Sequence, residues 1–242
     1  MKFTYILIDF FTILFPVLFT FHPRLRFNTR VKYFVPAAAV AALFFILWDM
    51  YFTKLQVWGF NRQYTLGIYI ANLPVEEVLF FFCIPYACVF TYHCISVFLA
   101  KKAITIIPRF FTNLLMIAAL GISIIFYQKF YTCFTFLVLS LSLFTAAYII
   151  KAGWLPRFYM VYAFLLIPFM VVNGLLTGTG LSSPVVWYNS KHILGFRLLT
   201  IPVEDIFYGM DLLLIITIIY MRLIATREKK IAFTKAFTKL GT

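Results

Sequence analysis

The stretch "NLPVEEVLFFFCIP" (residues 72–85) places two adjacent glutamates, Glu76 and Glu77, at the head of an apolar run rich in aromatic residues. A charged carboxylate is costly in hydrocarbon, and the chain has only 8 acidic residues in 242. The stretch "TIPVEDIFYGMDLL" (200–213) repeats the arrangement with Glu204 and Asp205. In both stretches a proline precedes acidic residues that would meet the positive end of a helix dipole, which predicts the first turn of a helix.

The composition is that of an integral membrane protein. Hydrophobic residues make up 64% of the chain, charged residues 12%, and the mean hydropathy is +0.97. The net charge of +13 does not indicate nucleic-acid binding, because the basic residues lie in short connections between apolar runs. Four cysteines without a CxxC pair and three scattered histidines indicate no metal site, and we expect no cofactor.

The apolar runs predict an all-α integral membrane protein with seven transmembrane helices. The connections and ends on the same side of the membrane as the C-terminal segment carry 15 lysines and arginines. Those on the other side carry 6. The positive-inside rule therefore predicts a multi-pass protein of the cell membrane with the N-terminus outside and the C-terminus in the cytoplasm. The predicted spans are 3–21, 34–52, 76–99, 110–127, 130–150, 158–176 and 205–223.

The sequence is internally duplicated at an offset of 128 residues, which pairs Gly67 with Gly195 and Pro74 with Pro202. At this offset the first three spans match the last three, and the fourth is left as a connector. This duplication, with one span as a connector, predicts two parallel three-helix repeats related by an axis along the membrane normal. The predicted divisions are a first repeat (1–99), a connector helix (100–129), a second repeat (130–227) and a basic cytoplasmic tail (228–242).

Intramembrane carboxyls are functional candidates, because they must face the protein interior and find partners there. Asp211 follows Glu204 by seven residues on the same helical face, and its counterpart in the first half is Cys83. Asp9 is interpreted as a local structural partner. Each carboxyl of the two pairs could instead have a structural role at a helix start. This alternative to a functional role is stronger for the second carboxyl of each pair. The predicted catalytic residues are Glu76, Glu77, Glu204 and Asp205; the predicted supporting or substrate-binding residues are Asp49, Asn61, Asn189, Arg197, Tyr208 and Asp211.

Two close carboxyls in a low-dielectric pocket cannot both ionise easily, so one is favoured as an acid while the other acts as a base. Such a pair supplies general acid and base chemistry without metal or cofactor. An apolar substrate would reach it through the bilayer.

The segment "LWDMYFTKLQVWGFNRQYTLGIYIANLPVEEVLFFFCIPYACVFTY" (47–92) resembles the integral-membrane lycopene cyclase family. The segment "PFMVVNGLLTGTGLSSPVVWYNSKHILGFRLLTIPVEDIFYGMDLL" (168–213) resembles the second domain of the same family, whose members occur as heterodimers or fused domains. The resemblance implies a single-chain, two-domain isomerase of carotenoid biosynthesis. It would cyclise the ψ ends of lycopene to β-ionone rings, through γ-carotene to β-carotene, without a redox cofactor. The family's acidic motif falls on Glu76, Glu77, Glu204 and Asp205.

The resulting hypothesis makes Glu76 or Glu204 the acid, with Glu77, Asp205 or Asp211 holding or receiving the proton. Aromatic faces would stabilise the carbocation; the candidates are Phe80, Phe81, Phe82 and Tyr208. The expected partners are lycopene or related carotenoids and membrane lipid, and the sequence leaves the oligomeric state open.

The sequence does not decide the number of active sites or exclude several other functions. The active site can be single or double. Other functions are a different carotenoid end-group enzyme (a hydratase or a cyclase of C50 carotenoids), a proton-coupled transporter, or a membrane scaffold. A microbial rhodopsin is disfavoured, because the last span has no lysine for a retinal Schiff base.

Overall fold

A computed structural model describes residues 2–98 and 109–240, with side chains described as far as residue 232. Within these ranges the chain forms seven helices, and α5 continues into a π-helical turn, Thr145–Ile149. The helices are α1 (Thr4–Phe19), α2 (Asn28–Lys54), α3 (Val75–Phe98), α4 (Arg109–Ile125), α5 (Phe130–Phe144), α6 (Leu155–Leu176) and α7 (Val203–Leu240).

Five of these helices are long and apolar enough to cross a membrane: α2, α3, α5 with its π-helical turn, α6 and α7. The described part of the chain is therefore that of a multi-pass membrane protein. Helices α1 and α4 are apolar but have 16 and 17 residues, which is shorter than the roughly 20 that a span requires. The full seven-span topology and the orientation of the termini stay predictions.

Helix ends differ most from the predicted spans in α2 and α7. Helix α2 begins at Asn28 rather than at 34, and α7 continues past 223 to Leu240, through most of the segment predicted as a tail. A hydropathy window stops at the first charges, whereas a helical backbone continues as long as no proline or glycine interrupts it, and none occurs between 223 and 240. Residues 99–108, which include most of the predicted connection with Lys101 and Lys102, lie outside the described residues.

Short strands, which the sequence did not predict, occur in the connections before α3 and α7. Backbone groups near the membrane need hydrogen-bond partners, and these strands provide them. Strands β2 and β3 form one hairpin, β5 and β6 form another, and β1 pairs antiparallel with β4. Their bounds are β1 (Trp58–Phe60), β2 (Tyr69–Ile70), β3 (Leu73–Pro74), β4 (Val186–Tyr188), β5 (Arg197–Leu198) and β6 (Ile201–Pro202).

The β1–β4 pair joins the two halves at equivalent positions. Gly59 lies opposite Trp187, 128 residues further on. On either side, the Asn61 amide donates to the carbonyl of Val185 (2.8 Å), and the Asn189 amide donates to that of Val57 (2.9 Å). These two backbone hydrogen bonds are related by the 128-residue offset. The two halves therefore bind each other through equivalent backbone groups.

Helices α2 and α6 occupy equivalent places in the sequence but pack differently. Helix α2 presents a buried stripe of alanines, including Ala37 and Ala41, and packs along both α3 and α7. Small residues allow such close helix approach. The positions equivalent to these two alanines are Leu165 and Phe169, and α6 makes fewer close approaches to α3 and α7. A space therefore remains beside α6, which forms the cavity described next.

Candidate active site

The first carboxyl of each acidic pair binds the hairpin that leads into its helix. Glu76 Oε1 accepts the Leu66 amide at 2.6 Å, and Glu204 Oε1 accepts the Leu194 amide at the same distance. Glu204 Oε1 also accepts the Thr132 hydroxyl at 2.6 Å. Both glutamates are 0% exposed. Their observed contacts therefore fix the connections to the starts of α3 and α7.

A cavity of about 740 Å³ lies between α1, α3, α6 and α7, beneath β1 and β4. This volume lies within the range of small-molecule sites, about 300–1,000 Å³. Its walls are mostly apolar and aromatic, and two carboxyls line it: Glu77 of α3 and Asp205 of α7. The second carboxyl of each pair, and not the first, thus faces the cavity.

The cavity lining includes residues of α1 and α6 that reach the outer surface. Phe11 of α1 and Val171 of α6 both line it, and both are well exposed on the outer surface, at 60% and 62%. Leu7 and Leu175 line the same side and are also exposed. These exposed lining residues are all apolar.

Asp205 accepts hydrogen bonds from three side chains. Tyr131 donates to Oδ1 at 2.6 Å, while Asn173 and Tyr188 donate to Oδ2 at 2.7 and 2.9 Å. Burial and the nearby Asp205 raise the pKa of Tyr188 well above 10.0, so this phenol keeps its proton and remains a donor. Three donors directed at one carboxyl stabilise its anionic form.

Glu77 has a different environment. It accepts a hydrogen bond from the Tyr5 hydroxyl, and it interacts with a second buried carboxyl, Asp49, both electrostatically and through a side-chain hydrogen bond. Asp49 in turn accepts the indole N–H of Trp58 and the Thr53 hydroxyl (3.3 Å). Because two neighbouring carboxyls in a low-dielectric site repel each other as anions, this environment favours a proton on one of them.

Aromatic rings line the cavity together with the two carboxyls. Tyr208 lines the cavity and interacts electrostatically with both Glu77 and Asp205. Its ring centroid lies 6.0 Å from that of Tyr131 and 6.2 Å from that of Trp58. The reacting end of an apolar ligand would therefore lie against π faces.

The other residues predicted from the sequence lie away from the cavity lining. Asn61 Oδ1 accepts the Gln63 amide at 3.0 Å, and Asn189 Oδ1 accepts the Lys191 amide at 3.1 Å. Arg197 donates to the Thr200 carbonyl at 2.6 Å. These contacts hold the connections.

Two predicted positions are buried inside the helix bundle. Neither carboxyl oxygen of Asp211 or of Asp9 has a hydrogen-bond partner among the described residues. Asp9 interacts electrostatically with Cys83, the counterpart of Asp211, so each half holds a buried carboxyl near this level. Of the predicted aromatic residues, Phe80 lines the cavity, Phe81 is fully buried elsewhere, and Phe82 is partly exposed.

Sequence reasoning missed the side chains that bind the two cavity carboxyls. Asn173 could have been identified from the sequence, because a side-chain amide inside a predicted span needs a hydrogen-bond partner. The others are aromatic residues in an aromatic-rich chain, and nothing distinguishes them before the helices are assembled. The missed residues are Tyr5, Trp58, Tyr131, Asn173 and Tyr188.

Across the described residues, no group of three or more histidine, cysteine or acidic side chains could hold a metal ion.

Fold and site together define a multi-pass membrane protein with a carboxyl-bearing, mostly apolar cavity. The model of the lycopene cyclase family matches residues 2–95 and 128–223, well over half of the chain. The chain therefore belongs to the lycopene cyclase family, and membership supports a carotenoid cyclase-type function. The two matched segments agree with the predicted internal repeat. No curated protein and no solved structure matches the chain.

Proposed function

We propose that the protein is a lycopene β-cyclase, an isomerase that closes the ψ ends of lycopene into β-ionone rings by acid and base catalysis. One observation carries the proposal: Glu77 and Asp205 line the same aromatic-walled cavity, whose apolar lining on α1 and α6 reaches the outer surface. A carotenoid dissolved in the bilayer would insert one end between α1 and α6 and leave the rest of its polyene in lipid.

Glu77 is the proposed general acid. It protonates the terminal trisubstituted alkene and leaves a tertiary carbocation on the neighbouring carbon. The proximity of Asp49 favours a proton on this pair, and the bond from Tyr5 occupies Glu77 Oε2, so Oε1 is left to carry the proton. The hydroxyl of Tyr5 thus positions the acid.

Ring closure follows when the next double bond of the chain attacks the carbocation. The new carbon–carbon bond moves the positive charge into the ring, where Trp58, Tyr131 and Tyr208 offer π faces. Asp205 is the proposed base. It removes a ring proton and so forms the ring double bond. One proton enters and one leaves, so the atoms of lycopene are only rearranged.

The sequence made Glu76 or Glu204 the acid; the proposed acid is instead Glu77, while Asp205 keeps the role of proton acceptor. The contacts of Glu76 and Glu204 with Leu66 and Leu194 support positioning roles, in which each holds a hairpin against its helix start. Their catalytic role stays a prediction. Glu76→Gln keeps an acceptor for the Leu66 amide, so we expect this variant to retain much of its activity, whereas Glu77→Gln loses it.

The proposal is tested by expressing the chain in bacterial cells that accumulate lycopene and separating the extracted pigments by chromatography. We expect γ-carotene and β-carotene from the natural chain. The Asp205→Asn chain should leave lycopene unchanged at equal amounts of membrane protein. Unchanged lycopene with the natural chain, once its presence in the membrane is verified, would contradict the proposal.

A further inference from the structure

The internal repeat raises the question of how many cavities the chain has. Glu77 and Asp205 are equivalent residues, so a fully symmetric molecule would have two equivalent cavities. One would lie between α1, α3, α6 and α7, and its counterpart would lie between α5, α7, α2 and α3. The described cavity is the first of these, and both carboxyls line it.

Aromatic side chains occupy the counterpart position. The cavity-lining residues Asn173, Leu176 and Gly209 correspond to Phe45, Trp48 and Phe81 at the 128-residue offset. The Phe45 ring lies 5.5 Å from that of Trp48 and 6.1 Å from that of Phe81, stacked on both. The same ring packs edge-on against Tyr208 at 5.2 Å.

Packed aromatic rings at van der Waals spacing leave no room for a carotenoid end group. We propose that each chain has a single catalytic cavity, which serves both ends of the substrate in turn, and that Gly209 keeps this cavity open where Phe81 fills its counterpart. This inference rests on the proposed function.

The proposal has a kinetic consequence. Lycopene has two identical ends, and a single cavity accepts one of them at a time. After the first ring closes, the monocyclic product must leave before its other end can enter. Free γ-carotene is therefore an obligatory intermediate.

The side chain at position 209 controls the volume of the cavity, because Gly209 lies in its wall. A Cβ at this position would meet the Tyr162 hydroxyl at 3.4 Å and the Phe169 ring at 3.5 Å, which alanine tolerates. A phenylalanine would project its ring into the cavity lined by Gly209, as Phe81 does on the other side.

The first test counts binding sites. Lycopene is titrated into the purified full chain in lipid nanodiscs, and the shift of the polyene absorbance is followed. We expect one lycopene per chain; two per chain would overturn the proposal. Gly209→Phe should weaken binding by about 10-fold or more, because it removes cavity volume.

Gly121→Leu is the matched control, because a Cβ at Gly121 of α4 meets no atom within 4 Å. Size-exclusion chromatography verifies that each variant is folded. A folded Gly209→Phe chain that binds lycopene with natural affinity would contradict the role assigned to Gly209. The count of sites on the natural chain does not depend on any variant.

The second test uses turnover. The natural chain receives isotopically labelled lycopene, followed early by a large excess of unlabelled lycopene. If γ-carotene is released after the first ring closes, the unlabelled lycopene competes with it and the label is trapped as γ-carotene. Label that continues to β-carotene despite the excess would overturn the single-cavity proposal. A natural chain that forms no cyclic product contradicts the proposed function, while the binding count still decides the number of cavities.

Discussion

Glu77 and Asp205 occupy equivalent positions in the two repeats and face one cavity, but their neighbours differ. Asp205 accepts three hydrogen bonds, whereas Glu77 accepts one and lies beside Asp49. Donors favour the anion, and a neighbouring carboxyl favours the neutral acid. A duplicated motif can thus provide both an acid and a base through a change of neighbours, with the carboxyls themselves kept.

The same contrast holds for α2 and α6. The alanine stripe of α2 brings it close to α3 and α7, and its aromatic residues fill the remaining space. Helix α6 has bulkier residues where the alanines are, and polar or smaller ones where the aromatics are. Divergence at a few packing positions has therefore left space on one side of the bundle.

The largest expected effect is the loss of either cavity carboxyl. We expect Glu77→Gln and Asp205→Asn each to lower the initial rate of first-ring formation by about 10²–10⁴-fold, the usual contribution of a general acid or base. The rate is measured as γ-carotene formed from lycopene in vesicles. Glu228→Gln is the control, because this carboxyl is 67% exposed and lies 3.9 Å from Arg30 in a surface pair. If either cavity variant kept half of the natural rate, each carboxyl would serve its own site.

A smaller loss is expected for Tyr131→Phe, which removes one of the three donors to Asp205. A hydrogen bond to a charged group contributes about 1.5–3 kcal/mol, so we expect a rate roughly 10- to 100-fold lower. The proton-accepting step should be the one that slows. A variant as active as the natural chain would show that Asp205 does not depend on this donor.

Gly59→Ala tests the junction of the two repeats. A Cβ at Gly59 would clash with the Trp187 ring, so the ring or the strand must move. Overpacking of this kind costs about 1–3 kcal/mol, which should lower the thermal unfolding midpoint in detergent. Trp187→Ala in the same chain should restore part of the loss. An unchanged midpoint in the single variant would mean that the β1–β4 pair adjusts freely.

The smallest effect is expected for Tyr5→Phe. Its hydroxyl donates to Glu77, which is neutral in this account, and a bond between neutral groups contributes about 0.5–1.5 kcal/mol. The rate should fall only a few-fold, clearly less than in Tyr131→Phe. Equal losses in the two variants would indicate that both carboxyls carry the same charge.

Much of this molecule was predictable from its sequence. The Pro-Val-Glu motifs mark helix starts, because proline fits a first turn and carboxyls suit its dipole; α3 begins at Val75 and α7 at Val203. The 128-residue offset recurs in every strand pair of the connections. These features depend on local chemistry and on repetition, both of which a sequence displays.

The sequence could not show which carboxyl of each pair faces the cavity. Adjacent helical residues point about 100° apart, so the choice depends on how each helix is rotated against its neighbours. The donors to Asp205 come from α5, α6 and β4, which only tertiary packing brings together. The difference between the repeats likewise follows from packing at Gly209 and Phe81, and apolar periodicity does not distinguish a filled space from an open one.

We propose that Glu77 is a neutral acid and Asp205 an anion at neutral pH. Infrared difference spectroscopy of the natural chain against each single variant tests it directly, because protonated and ionised carboxyls absorb at separate frequencies. We expect Glu77→Gln to remove a protonated-carboxyl band and Asp205→Asn to remove a carboxylate band. The reverse pattern, or a carboxylate band lost in both variants, would contradict the account.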